Sequence, residues 1–98
     1  MEINEYITIE CDRFLDRIKC KYVKGRYYIK KALQITVKDP YELTYMEGIY
    51  YKISNVPWRR IERCIRYAIA STEWAGMCNK DFLQKATAHI RKIIAEKY

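Results

Sequence analysis

An all-α fold is predicted by three features of this chain. Apolar residues recur at three- and four-residue spacing along most of its length, which lines one face of a helix. Gly25, Asp39-Pro40, Pro57 and Gly76 punctuate those patterns. In the first segment acids come early and bases late, which suits the positive and negative ends of a helix dipole. Ninety-eight residues, half of them hydrophobic, suffice for one modest core without metals or disulfides. The expectation is a single small helical domain over residues 1–98, with about five helices and a helix-turn-helix.

The first helix is expected over 3–19, with Ile3, Ile7, Cys11, Phe14, Leu15 and Ile18 on its apolar face. The second is expected over 26–37, after Gly25, with Tyr28, Ile29, Ala32, Leu33 and Thr36 recurring. Asp39-Pro40 stops it, because a residue before proline avoids the α region. A third runs from Tyr41 or Glu42 to Ser54, with Gly48 as a weak spot. The turn after it calls for a residue that tolerates positive φ, and Asn55 suits that role. The fourth is expected over 57–74, with Pro57 in its first turn and Gly76 ending it. The fifth spans 80–96, with Asn79 as N-cap and Phe82, Leu83, Ala86, His89 or Ile90, Ile93 and Ile94 recurring.

The fourth helix carries the functional signal. At about 100° per residue, Ile61, Ile65, Ala68, Ile69 and Thr72 fall together, while Arg59, Glu62, Arg63 and Arg66 fall opposite. An arginine face on a short helix after a tight turn suits the major groove of double-stranded DNA. There a guanidinium can donate two hydrogen bonds to guanine O6 and N7, and a carboxylate can accept from cytosine N4. Arg63 and Arg66 are read as guanine contacts and Glu62 as a cytosine contact. Glu62 and Arg66 also stand i, i+4 in the favourable order for pairing off DNA. Ala70 is small and continues this face, which lets the helix lie close to the groove. Ile61 and Cys64 would fill the contact between the third and fourth helices. Tyr51 falls where a helix-turn-helix commonly has a small residue.

The net charge of +7 is unevenly spread. Residues 1–16 are acidic, with Glu2, Glu5, Glu10, Asp12 and Asp16. Residues 17–31 hold Arg17, Lys19, Lys21, Lys24, Arg26, Lys30 and Lys31 without an acid, and a second basic block spans 52–66. Two basic blocks suit a polyanion, with Lys24 and Lys52 as candidate phosphate contacts. The ten tyrosines are read chiefly as enlarging a small core. Cys11, Cys20, Cys64 and Cys78 lack zinc-site spacing and read as reduced intracellular thiols, with Cys11 and Cys64 on or near apolar faces. The lone His89 has no catalytic partner nearby in sequence, and no Gly-rich phosphate loop occurs, so neither an enzyme nor a cofactor is expected. No apolar run of ~20 residues or signal peptide is seen, so a cytoplasmic, nucleoid-associated protein without a membrane partner is expected.

At these residues the chain also resembles a known family. Arg60-Ile61-Glu62-Arg63-Cys64-Ile65-Arg66-Tyr67-Ala68-Ile69 is similar to the S-R-V-E-R-A-I-R-H-A-I signature. That signature belongs to the C-terminal DNA-binding domain of the sporulation master response regulator of endospore-forming Firmicutes. Lys24-Gly25-Arg26-Tyr27-Tyr28-Ile29-Lys30-Lys31-Ala32-Leu33 resembles its K-G-Y-x-Y-L-R-x-A-I helix, and Asn79-Lys80-Asp81-Phe82 its N-S-E-F entry to the last helix. The resemblance implies an all-α transcription regulator that binds promoter boxes, often as tandem pairs that would seat two copies. It assigns Glu62, Arg63 and Arg66 to base edges, and Arg60 with neighbouring Arg59 to phosphates. Tyr67 stands where the family has histidine, and Trp58 replaces a small residue at the helix start, where it packs or touches the DNA backbone.

Three departures from the family shape the expectation. No receiver domain precedes the first helix, the connection around Asp39–Tyr45 is shorter, and the segment between the recognition and last helices is reduced. In the family that segment contacts RNA polymerase sigma subunits. The chain therefore reads as a stand-alone relative that competes for promoter boxes. The alternative is a helical protein-interaction domain that has lost DNA binding.

Overall fold

A computed structural model describes residues 2–98. The order is α1 (Ile3–Arg17), α2 (Val23–Lys38), a 3-10 turn (Pro40–Thr44), α3 (Met46–Ile53), α4 (Trp58–Ala70) and α5 (Asn79–Lys97), with no strand among the described residues. The fold is all-α with five helices, as the periodicity predicts.

α1 ends in two interlocked turns. Cys20 N–H donates to the Leu15 carbonyl at 2.9 Å and Lys19 N–H to that of Asp16 at 3.1 Å. This is the Schellman pattern, whose left-handed position usually holds glycine. Here it holds Lys19 at φ 62°, the only non-glycine residue at positive φ among those described. Lys19→Gly removes the Cβ strain, at the cost of a looser unfolded chain and an exposed ion pair to Glu73 at 3.6 Å. Thermal and urea melts should show a net gain of up to about 1 kcal/mol.

α2 begins three residues earlier than expected, so Gly25 lies inside a helix and does not break the chain. Its backbone sits against α4, within reach of the Cys64 carbonyl and the Ala68 methyl, where any side chain would intrude. The expected third helix is two elements. Asp39 caps the 3-10 turn, its carboxylate accepting from Tyr41 N–H at 3.1 Å. Tyr45 then adopts φ −138°, ψ 87°, which breaks the helix there and leaves Gly48 inside α3.

Residues 54–57 join α3 to α4. Asn55 has no positive φ, contrary to expectation. The reversal uses extended Ser54 (φ −161°) and polyproline-like Pro57 (φ −53°, ψ 135°), with the Ser54 hydroxyl accepting from Val56 N–H at 3.4 Å. Pro57 precedes the helix as its N-cap, and its carbonyl accepts from Arg60 N–H at 2.9 Å. Gly76 does not end α4, which stops six residues earlier, where Ser71 and Thr72 hydroxyls fold back onto the Ala68 and Ile69 carbonyls.

The stretch from α4 to α5 is fixed by side chains. Thr72 Oγ1 accepts from Trp74 N–H at 3.1 Å, and Glu73 N–H donates to the Ile18 carbonyl at 3.1 Å. The Trp74 ring stands edge-on to Phe14 and Phe82, with centroids 5.0 and 5.6 Å away. Asn79 is the first residue of α5, and Cys78 occupies the N-cap.

One core joins all five helices. The stripes from the sequence are buried, including Phe14, Leu15, Ile29, Leu33, Ile61, Ile65, Ile69, Phe82 and Ile90. Each such side chain contributes roughly 1.5–3 kcal/mol. Ile3 is exposed, and Ile93 and Ile94 are only half-buried. The tyrosines do not enlarge the core as expected: Tyr28 and Tyr50 are buried, whereas Tyr22, Tyr27, Tyr41, Tyr45, Tyr51, Tyr67 and Tyr98 are exposed. Branched aliphatics fill the interior. A phenol at the surface keeps its hydroxyl wet while the ring packs locally, as Tyr98 does on Tyr6 at 3.7 Å.

Cys11 and Cys20 are buried, Cys64 is half-buried and Cys78 exposed, and all are free thiols. Burial, with a smaller contribution from the Asp12 charge, pushes the Cys11 thiol from 9.0 up to about 12. The unfolded chain therefore releases this proton from about pH 9, while the folded chain keeps it. The stability involved is complete below pH 9.0 and drains as pH climbs towards 12. Burial raises Cys20 and Tyr50 too, with the same sign. Equilibrium melts should show a loss of about 1 kcal/mol between pH 9 and 10, reduced in Cys11→Ala when each variant is referred to its own value at pH 8. In the native state a thiol reagent should label Cys78 first and Cys11 last.

A candidate nucleic-acid interface

α4 is held by its back. Ile61, Ile65, Ala68 and Ile69 are buried, and the helix packs most extensively on α2. What faces away is basic. Arg59, Arg60, Arg63, Arg66 and Tyr67 are exposed and Glu62 is half-buried. The arginine row predicted from the 3.6-residue period is thus brought together on one open face, with Ala70 exposed at its far end.

Four arginines stand here against one glutamate. Arg66 reaches Glu62 at 3.9 Å, one turn away. That pair is open to solvent and holds Arg66 only loosely. Arg59, Arg60 and Arg63 form no ion pair among the described residues. Arg59 instead lies over the Trp58 ring, 5.3 Å from its centroid. Trp58 packs, lying parallel to Tyr50 with centroids 6.4 Å apart. Between α3, α4 and the start of α5 runs an open groove of about 450 Å³, lined by Trp58, Glu62 and Arg66 among others.

The other basic block is different. Arg26 contacts Asp16 at 2.8 Å and Asp12 at 3.7 Å, and Lys30 contacts Asp12 at 2.8 Å. Lys19 pairs with Glu73, and Arg17 lies 3.2 Å from His89. Acids of the first helix thus pair with Arg26 and Lys30 of the second, while Lys21, Lys24 and Lys31 form no ion pair among the described residues. Lys24 is exposed, beside the glycine that abuts α4. Lys52 is not brought to the arginine row: it pairs with Glu42 at 2.6 Å and lines a separate groove with Lys31 and Lys38.

Sequence reasoning missed two residues. Asn79 does not cap α5. Its Nδ2 donates to the Glu62 carbonyl at 2.9 Å and to the Tyr50 hydroxyl at 3.2 Å. Glu10 is buried on α1, accepting from Arg13 at 3.0 Å, Tyr98 at 3.2 Å and Lys97 at 3.4 Å. Its place one residue before buried Cys11 was the only signal, and a carboxylate there reads as surface. Among the described residues no helix is long and apolar enough to cross a membrane. No protein family, curated protein or solved structure matches this chain.

Proposed function

We propose that this chain binds double-stranded DNA in a sequence-selective way, with α3 and α4 as a helix-turn-helix and α4 in the major groove. The observation that carries the reading is the contrast between the two basic blocks. On α2, Arg26 and Lys30 are paired with Asp12 and Asp16 of α1. On α4, Arg59, Arg60 and Arg63 form no ion pair among the described residues, Arg66 meets Glu62 only at 3.9 Å, and all four arginines are exposed. A protein gains little from holding like charges in a row unless a polyanion meets them. The two helices and the four-residue turn also have suitable lengths for such a unit. Resemblance to the sporulation regulator's effector domain adds promoter DNA as the duplex and transcription regulation as the role, with competition for boxes as the mode.

In this reading Glu62, Arg63 and Arg66 address base edges, while Arg59, Arg60, Lys24 and Tyr67 lie along the backbone. Lys52, already paired, contributes least. The exposed tyrosines favour a protein partner as the second reading. Selection from a random duplex pool decides between them. The expected result is a recovered consensus whose affinity falls with salt, with a log–log slope near −3 for about three phosphate contacts. Absence of duplex binding at low salt rejects DNA recognition and leaves the protein-interaction reading.

A further inference from the structure

We infer that Asn79 is a positioning residue that sets the angle of the recognition helix; the inference rests on the DNA-binding reading of α4. Its side-chain amide is where three helices meet. One nitrogen at the start of α5 serves the Glu62 carbonyl of α4 at 2.9 Å and the Tyr50 hydroxyl of α3 at 3.2 Å. The carbonyl it holds belongs to Glu62, a base-reading residue of the proposed site that stands between Arg59 and Arg66 along α4.

The other half of the same amide makes the case. Asn79 Oδ1 is buried without a hydrogen-bond partner among the described residues. A buried amide oxygen left unpaired is a net cost, so the residue is a poor choice for stability alone. Turning the amide over does not help, because it would set Oδ1 against the Glu62 carbonyl, two acceptors face to face. The arrangement makes sense if the NH2 group is what is needed. Tyr50 is itself buried and lies parallel to Trp58, the first residue of α4. The amide and the stacked rings therefore hold α4 to α3 at two points more than a helical turn apart, which fixes tilt as well as distance. Selective readout requires such a fixed angle, because a bidentate guanidinium contact is directional. Phosphate attraction does not require it.

The test measures Asn79→Ala and Tyr50→Phe against both the selected duplex and a scrambled one, with thermal melts run in parallel. The alanine variant removes the donor and the orphaned oxygen together, so its melt should stay near that of the wild type. Its preference for the selected duplex should fall roughly tenfold, the scale of one lost bidentate contact, while scrambled-duplex affinity and salt slope hold. Tyr50→Phe keeps the Glu62 bond and should lose less. If Asn79→Ala keeps the wild-type preference, Asn79 does not position the helix, although the DNA-binding reading stands. If wild type itself binds no duplex, both fall.

Discussion

Arg63→Ala is expected to weaken binding to the selected duplex by about 1–3 kcal/mol and to relax preference at one base pair. Arg66→Ala should do the same at a neighbouring pair. Both side chains are exposed and neither supports the core, so melts should move by no more than about 0.5 kcal/mol. Loss of binding without loss of fold is what separates a reading residue from a structural one. Arg60→Ala serves as the internal control. A phosphate contact should weaken all sequences alike and flatten the salt slope by about one unit. Equal losses on selected and scrambled duplex for Arg63→Ala would place that guanidinium on the backbone and remove it from base reading.

Glu62 sharpens this comparison. Its pair with Arg66 at 3.9 Å is loose and open to solvent. On DNA a carboxylate repels phosphate, and it is tolerated only where a base donor meets it. Glu62→Ala should therefore raise affinity for scrambled duplex while lowering preference at a cytosine-containing pair. A uniform rise would mark Glu62 as a mere repeller.

How much of this was legible in the sequence follows from the range of each interaction. The stripes of α1, α2, α4 and α5 could be read because burial follows the helical period, and Ile61, Ile65 and Ile69 are buried where the period puts them. The arginine face followed from the same arithmetic. The turns were harder. The break at Tyr45 and the turn without positive φ at Asn55 depend on how neighbouring elements pack, which a local pattern does not carry. Asn79 fits a local rule as an N-cap, yet a carbonyl 17 residues earlier in the chain claims its amide. Lys52 was indistinguishable from its basic neighbours until Glu42 closed on it. Lys19 shows the reverse case, a residue of poor local fit held left-handed by the turn around it.

Gly25→Ala should be the most damaging small substitution in the chain. Helix propensity alone would favour alanine by about 0.5–1 kcal/mol, because Gly25 lies within α2. The packing reverses that sign. A Cβ at this position would lie 2.4 Å from the Cys64 carbonyl oxygen, 2.5 Å from the Ala68 Cβ and 2.8 Å from the Tyr22 ring. The half-exposed ring can swing aside. The carbonyl and the Ala68 methyl are fixed to α4, so the two helices must separate along their main contact. Overpacking of this kind costs about 3 kcal/mol, a large share of a small domain's stability. The displaced helix also carries the arginine row, so the preference for the selected duplex should fall even where the variant is folded. Ala68→Gly in the Gly25→Ala background relieves one of the two fixed clashes and leaves the carbonyl. The double variant should therefore recover part of the loss, a coupling that a double-mutant cycle reads directly. If Gly25→Ala instead melts higher than the wild type, α2 and α4 do not cross at this glycine. The helix proposed to read DNA would then rest on a different surface from the one described.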